Sequence, residues 1–486
     1  MFPNRIRVGI VVGLLLVVLG TQAIGSVYAT QSSTVMARRV VLTGAGFLRA
    51  EGQSIVDGTG NFVLLHGADF SGYEGPKALW STHTEADYVR MASWGFNVVR
   101  LPIAWNWIEP SPGRYDDGYL SSYVDRDIKW ARSQGLYIVL DMHQFGWSPY
   151  FTYFSSEGGN GFPSWAVSGY ANTAEGEARA RADFWSGKGP NGTSPSKKNP
   201  SLIDRFAEMW KHVAARYSSE TTITAYDLFN EPSPFTMDGT AFLPSYDVKL
   251  CSETLPHFFE RVVDAIRTVD SNHMILWEPA AIWNEMTSRV DRPNVVYSPH
   301  YPGFSPSYAI DGKGLSIYGY DGNKTRLEAS LVSKVVTLSR DWNQPVLIGE
   351  WGICAEGPNA GQYTRDLADL MDKYLLSRTW WTYGRAGFGM YLLDGAGNER
   401  TAILQNLIRA YASSSSVRPS SSSFDPVAKE FQLIVAGPSV VGTYIPLFYQ
   451  SFTAVADSGS CLTEIRGNVV LVTLPNGASQ LVVSFQ

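Results

Sequence analysis

With 486 residues the chain is long for one domain and sufficient for a barrel-sized enzyme with a small appendage. Only 17 % of its residues are charged and 13 % are aromatic, so it can bury a large core and is not a mainly disordered chain. A formal net charge of −6 argues against nucleic acid as a partner, because binders of a phosphate backbone carry a basic footprint.

The chain begins with Arg5 and Arg7, an apolar run from Val8 to Leu19, and a small-residue site at Val27-Tyr28-Ala29. That order is the order of a secretory signal peptide over residues 1–29. An uncleaved membrane anchor is the alternative, since Val8 to Tyr28 is about the ~20 residues that span a bilayer. Either way the remainder is expected outside the cytoplasm. Cys251, Cys354 and Cys461 allow one disulfide there and leave one thiol over; they lack the spacing of a zinc or redox motif.

From Phe62 onward a unit repeats: a short apolar run ends in polar residues, then a loop and a helical stretch lead to the next run. In chain order the runs are FVLLHGADF (62–70), FNVVRLPI (96–103), YIVLDMHQ (137–144), TAYDLFNEP (224–232), HMILWEP (273–279), NVVYSPHYP (294–302), PVLIGEWG (345–352) and RTWWTYGR (378–385). Runs apolar on both faces, alternating with helices such as 204–217 and 255–269, indicate a parallel sheet covered by helices. Eight of them predict an α/β fold, a (β/α)8 TIM barrel over residues 40–412. A Gly-, Ser- and aromatic-rich insertion from Phe145 to about Pro200 is expected to overhang the C-terminal face. After the barrel, the Ser-rich stretch 413–423 reads as a linker. Residues 424–486 alternate apolar and polar positions and read as a small C-terminal all-β sandwich.

In a barrel every strand delivers its last residues to one rim, so polar strand ends converge from distant positions. Here they are Arg100, Asp141 with His143, Asn230 with Glu231, His300 with Tyr301, Glu350 with Trp351, and Trp381. Glu231 and Glu350 would face each other across the mouth. Paired carboxylates in one cleft suit glycoside hydrolysis, with separations of about 5–5.5 Å for a retaining and about 6.5–9.5 Å for an inverting mechanism. Asn230 can donate to a sugar hydroxyl, and Trp381 offers a flat apolar face to a sugar ring. Glu278, in WEP, is a competing carboxylate ranked below Glu231 because no Asn precedes it. No trio of histidines or carboxylates stands at metal spacing, so neither a metal nor another cofactor is expected.

The set Arg100, His143, Asn230-Glu231-Pro232, His300-Tyr301, Glu350 and Trp381 resembles glycoside hydrolase family 5, a retaining family of (β/α)8 barrels. The likeness covers roughly residues 60 to 410 and implies that Glu231 is the acid/base and Glu350 the nucleophile. His300 is followed directly by Tyr301, where the family carries one residue between. LDMHQ (140–144), GFPSWA (161–166), AYDLFNEP (225–232) and a terminal β-sandwich are most similar to endoglycoceramidases and related glycolipid glycosidases. That likeness implies that Asp141 and His143 bind the sugar next to the lipid; Lys77, in the loop SGYEGPKALW that the likeness does not cover, is a further candidate sugar contact. It also implies a carbohydrate or glycolipid partner, with peripheral membrane contact through the substrate. An endo-β-glucanase or mannanase is the nearest alternative. A catalytically inactive carbohydrate-binding protein is the alternative of another class.

Overall fold

The computed structural model describes residues 46–486 except 73, 76–81, 154, 235–247, 281–285, 301–314 and 317–318, with backbone alone at Ser33–Thr34 and Leu315–Ser316. The expected signal segment 1–29, Lys77 and Tyr301 lie outside the described residues.

The eight apolar runs form eight parallel strands: β1 His66–Phe70, β2 Val98–Ile103, β3 Tyr137–Met142, β4 Ile223–Asp227, β5 Met274–Trp277, β6 Val295–Tyr297, β7 Leu347–Trp351 and β8 Ser377–Tyr383. They pair in sequence order, and β8 returns to β1 with Arg378 opposite His66. Single parallel bridges, Tyr297 to Val346 and His300 to Glu350, join β6 to β7 and close the barrel.

Side-chain alternation along a strand sorts these residues into layers. Val98, Val139, Ala225, Leu276, Val296 and Leu347, from six successive strands β2 to β7, share one apolar cluster in the barrel lumen. Val99, Leu101, Ile138, Leu140, Tyr226 and Trp277 point the other way, into the core shared with the helices. Two residues beyond the lumen cluster, the same inward face carries Arg100, Asp141, Asp227, Glu278 and Ser298. A charged layer therefore sits directly above an apolar one, at the C-terminal end of the barrel.

The helices that cover the barrel include α1 Glu85–Ser93, α2 Asp125–Gln134, α3 Ala174–Trp185, α4 Leu202–Tyr217, α5 Val248–Arg267 and α6 Ala360–Lys373. In α4, the Ser201 hydroxyl caps the first turn by accepting the Asp204 N–H at 3.1 Å. Leu202, Phe206, Trp210, Val213 and Tyr217 then form one buried stripe at helical spacing.

The insertion between β3 and α4 is folded, with α3 at its centre. Trp147 stacks on Phe162 at 3.9 Å between ring centroids, and these rings pack with Phe184, Phe206, Phe229 and Phe258. Most of its aromatics thus build a covering layer, while Phe145 and Tyr153 stay exposed at 66 % and 37 %.

Two expectations about domain limits change. The Ser-rich stretch is not a linker: Tyr411–Ser415 pairs with Ser439–Tyr444 in one sheet, and Ser421–Asp425 pairs with Glu430–Ile434 in the other. Its serines are small enough for the strand to lie against α6, where the Ser422 hydroxyl donates to the Asp372 carbonyl at 3.0 Å. Residues 49–63, expected within the barrel, instead add Arg49–Glu51, Ser54–Val56 and Phe62–Val63 to the larger sheet. The two sheets enclose their own core, with Phe431, Leu433, Val441, Val472, Leu481 and Val483 buried between them. All three cysteines are free thiols.

Candidate active site

Arg100 is the hub of the charged layer and has no exposed surface. Its guanidinium meets Asp227 at 2.9 Å, Glu350 at 2.6 Å, Asp69 at 3.3 Å, Asp141 at 3.0 Å and Glu278 at 3.1 Å, and it donates to Asn230 Oδ1 at 2.9 Å. Its five N–H donors all face protein oxygens. Arg100 and Asp141, expected to bind substrate, are fully buried and instead hold the groups that line the cleft. Asn230 is likewise engaged, with its amide nitrogen donating to the Gln144 carbonyl at 3.2 Å.

Above this layer Glu231 and Glu350 come together, each presenting a carboxylate oxygen to a trio with His300 whose atoms all lie within 4.8 Å of one another. Glu350 is 1 % exposed, with Oε1 held by Arg100 and Oε2 3.7 Å from His300 Nδ1. The Glu231 side chain keeps about a fifth of its surface open, and its Oε1 lies 3.1 Å from His300 Nδ1. The bridge between His300 and Glu350 explains the first glycine of GEWG. A Cβ on Gly349 would stand 2.9 Å from Ser298 Oγ and 3.1 Å from His300 Nε2, so both side chains would have to give way.

Glu231 adopts φ +49°, in the left-handed region that costs a residue with a side chain on the order of 1–2 kcal/mol. Surrounding bonds hold it there. Its N–H donates to Glu278 Oε2 at 2.8 Å, and Gln144 Nε2 donates to the carbonyls of Asn230 and Glu231 at 3.1 and 3.3 Å. On the facing wall His143 Nδ1 bonds Asp141 Oδ2 at 2.7 Å, and its ring stacks on Trp381 at 5.3 Å with 5° between planes. Trp381 is half-buried. Trp105 is core, its indole N–H donating to Glu109.

Sequence reasoning placed the strand ends correctly and missed the groups beside and beneath them. Asp69 and Asp227 are buried partners of Arg100, and Gln144 braces the Asn230–Glu231 backbone. Buried Glu74 accepts the Gly72 N–H and acts electrostatically on His143. The inward alternation of β1 and β4 was the signal that could have found the two aspartates.

Among the described residues, seven carboxyl groups (Asp69, Glu74, Asp141, Asp227, Glu231, Glu278, Glu350) surround three basic groups, Arg100, His143 and His300. Burial pushes the carboxyls of Asp69, Asp227 and Glu350 above their ordinary range, against the pull of Arg100 and, at each of them, His300. Burial pushes Glu278 up to about 8, again against His300 and Arg100. Burial opposes the charge on the two histidines, but their carboxylate neighbours outweigh it. Asp141 and Glu74 push His143 up to about 9, and Glu278 and Glu350 raise His300 well above the usual imidazole range. This is a site with more proton positions than charges to balance them, the condition for acid/base work near neutral pH.

Among the described residues two trios converge closely enough to hold a cation, Glu231–His300–Glu350 and Asp141–Asp227–Glu278. The second already surrounds the Arg100 guanidinium, which supplies the positive charge there.

The sequence profile of the cellulase family, glycosyl hydrolase family 5, matches residues 56–387. Endoglycoceramidase I of Rhodococcus hoagii (strain 103S) is 28 % identical over 286 residues, 52 % of this chain and 52 % of that protein. Endoglycoceramidase of Cyanea nozakii is 22 % identical over 447 residues, 79 % of this chain and 80 % of that protein. In fold the chain is similar to the structure of endo-glycoceramidase II from Rhodococcus sp. in complex with ganglioside GM3, with a TM-score of 0.71 at 22 % identity over 90 % of this chain and 99 % of that one. A barrel whose opposed carboxylates stand at the ends of its fourth and seventh strands, matched by that profile over most of its length, belongs to glycosyl hydrolase family 5 and is a glycoside hydrolase.

Proposed function

We propose that this enzyme is a retaining β-glycosidase that separates a glycan from the apolar aglycone of a glycolipid such as a glycosphingolipid. The observation that supports the retaining part is the closeness of Glu231 and Glu350, which each bring one carboxylate oxygen within 4.8 Å of the other. A retaining pair stands about 5–5.5 Å apart, whereas an inverting pair leaves room for a water between. Arg100 clamps one oxygen of Glu350, so the carboxylate is oriented and its other oxygen attacks the anomeric carbon. Glu231 donates its proton to the departing oxygen as that bond breaks. It then takes a proton from water, which releases the sugar from Glu350.

The glycolipid part is supported by the exposed rings at the rim. Phe145 and Phe388, 66 % and 59 % exposed, stand on the loops that leave β3 and β8. The similarity to endoglycoceramidases supports the same reading. Export through the N-terminal segment belongs to this reading and is supported by the charged, apolar and small-residue order of residues 1–29. Peripheral contact with a membrane would then come through the substrate.

The test offers β-glucan, β-mannan, glucosylceramide and gangliosides side by side. Release of an intact glycan together with ceramide is the expected result. Hydrolysis of glucan or mannan without glycolipid cleavage would replace this reading by a polysaccharide hydrolase. Retention of glycan with no sugar released from any of them would replace it by a binding protein.

A further inference from the structure

We infer that Glu278, at the end of β5, is a positioning residue for the proton donor: it fixes Glu231 through the main chain and through His300 without touching the reacting atoms. This rests on the roles proposed above for Glu231 and Glu350. Glu278 is 1 % exposed and lies beneath the cleft floor, so it does not reach a bound sugar. Its two oxygens have separate tasks. Oε2 accepts the N–H of Glu231 at 2.8 Å. Oε1 lies 3.2 Å from His300 Nε2 and 3.1 Å from Arg100 Nη2.

These contacts converge on one carboxyl group. The Glu231 backbone stands in the left-handed region, and without Glu278 its N–H would lose its acceptor. His300 faces Glu278 with its Nε2, an ion-pair contact at 3.2 Å, while its Nδ1 lies 3.1 Å from Glu231 Oε1. Glu278 thus acts on Glu231 from both sides, on the main chain below and on the carboxyl above. The other partners of Arg100 do not share this geometry: Asp69 and Asp227 neutralise the guanidinium but make no bond to Glu231. The sequence ranked Glu278 as a rival of Glu231; the structure makes it a support.

A residue that works through the acid matters only where the leaving group needs a proton. The test therefore compares phenyl and 2,4-dinitrophenyl β-glycosides of one sugar, reading kcat/KM. Glu278→Gln should lose about 10²-fold on the phenyl glycoside, the scale of a catalytic group displaced by about 1 Å. On the dinitrophenyl glycoside, whose leaving group departs unprotonated, it should lose no more than about threefold. Glu231→Gln is measured beside it and should show the same dependence with a larger loss, about 10²- to 10⁴-fold on the phenyl glycoside. Equal losses on both substrates in Glu278→Gln, next to a leaving-group-dependent Glu231→Gln, would overturn the inference and leave the reading of Glu231 intact. Equal losses in Glu231→Gln would remove the acid from its role, and this inference with it. If Glu278→Gln does not fold, Glu278→Asp carries the same comparison, because it keeps the carboxyl group and draws it back from the Glu231 N–H by one methylene.

Discussion

Two clusters of buried charge lie at opposite ends of this barrel, and they are built differently. At the N-terminal end Arg378 meets Asp372 at 2.7 Å, while Arg409 meets Asp372 at 2.6 Å and Asp369 at 2.7 Å. Asp369 also pairs with Lys324 at 2.9 Å, so each carboxylate here has a cation beside it, and the cluster ties β8, α6 and the start of the sandwich together. Among the described residues at the C-terminal end, seven carboxyl groups crowd three basic ones, and burial holds several of the acids above their ordinary range. The balanced cluster is a fastener, because breaking it leaves a bare charge and moving a proton within it gains nothing. The overloaded cluster is a reagent, because its protons have several near-equivalent places to sit.

The sharpest way to break the contrast is to remove one acid from each cluster. Glu350→Ala should lower kcat/KM by on the order of 10⁴-fold or more, as expected for a nucleophile, with a thermal midpoint equal to or above that of the parent. A relieved excess of buried carboxylate stabilises rather than harms. Asp372→Asn should do the reverse. It strips Arg378 and Arg409 of their shared partner and should cost about 3–5 kcal/mol in denaturant unfolding, with kcat/KM per folded molecule unchanged. Loss of activity in that variant without loss of stability would erase the distinction between the ends.

Smaller effects follow from pH. The attacking form of Glu350 is the anion, and burial holds its carboxyl above the ordinary value of 4.5. Activity therefore declines as pH falls through that raised value, and the acid limb of the kcat/KM profile should lie above 4.5. A limb at or below 4.5 would contradict the crowding described here. Stability should respond on the other side. His143, raised to about 9, and Glu278, raised to about 8, both hold their protons more tightly folded than unfolded. The contribution of His143 is complete below its unfolded value of 6.5 and is lost as pH rises through about 9; that of Glu278 is complete below 4.5 and is lost through about 8. The thermal midpoint should fall by about a few degrees between pH 6.5 and 9, and His143→Gln should flatten the slope. A midpoint that rises over this window would reverse the sign of the account.

The contrast between the two ends also explains what could be read from the sequence. The barrel was legible because parallel strands are apolar on both faces and end in polar residues, so FNVVRLPI or YIVLDMHQ stands out without its neighbours. Glu231 and Glu350 were legible for the same reason: they interrupt apolar runs at the rim. The layer beneath was not. Asp69 and Asp227 passed unnoticed within their own strands, and Glu278 read only as a rival of Glu231; their shared role shows when β1, β4 and β5 bring them around Arg100. Nor did composition separate a flexible serine tract from one whose small side chains lie against a helix, as Ser421–Asp425 does. His300 shows both sides: its position at the rim was readable, whereas its grip on Glu231, Glu278 and Glu350 at once depends on a strand bridge and on Gly349.

The central claim is that Glu350 bonds covalently to the sugar while Glu231 manages the proton. The most direct measurement incubates the enzyme with a 2-deoxy-2-fluoro-β-glycosyl fluoride, which forms the glycosyl-enzyme faster than it is hydrolysed, and maps the label by peptide mass spectrometry. The predicted result is one glycosyl unit per enzyme, carried by Glu350. A label on Glu231 or Glu278, or turnover with inverted product and no labelled peptide, would contradict it.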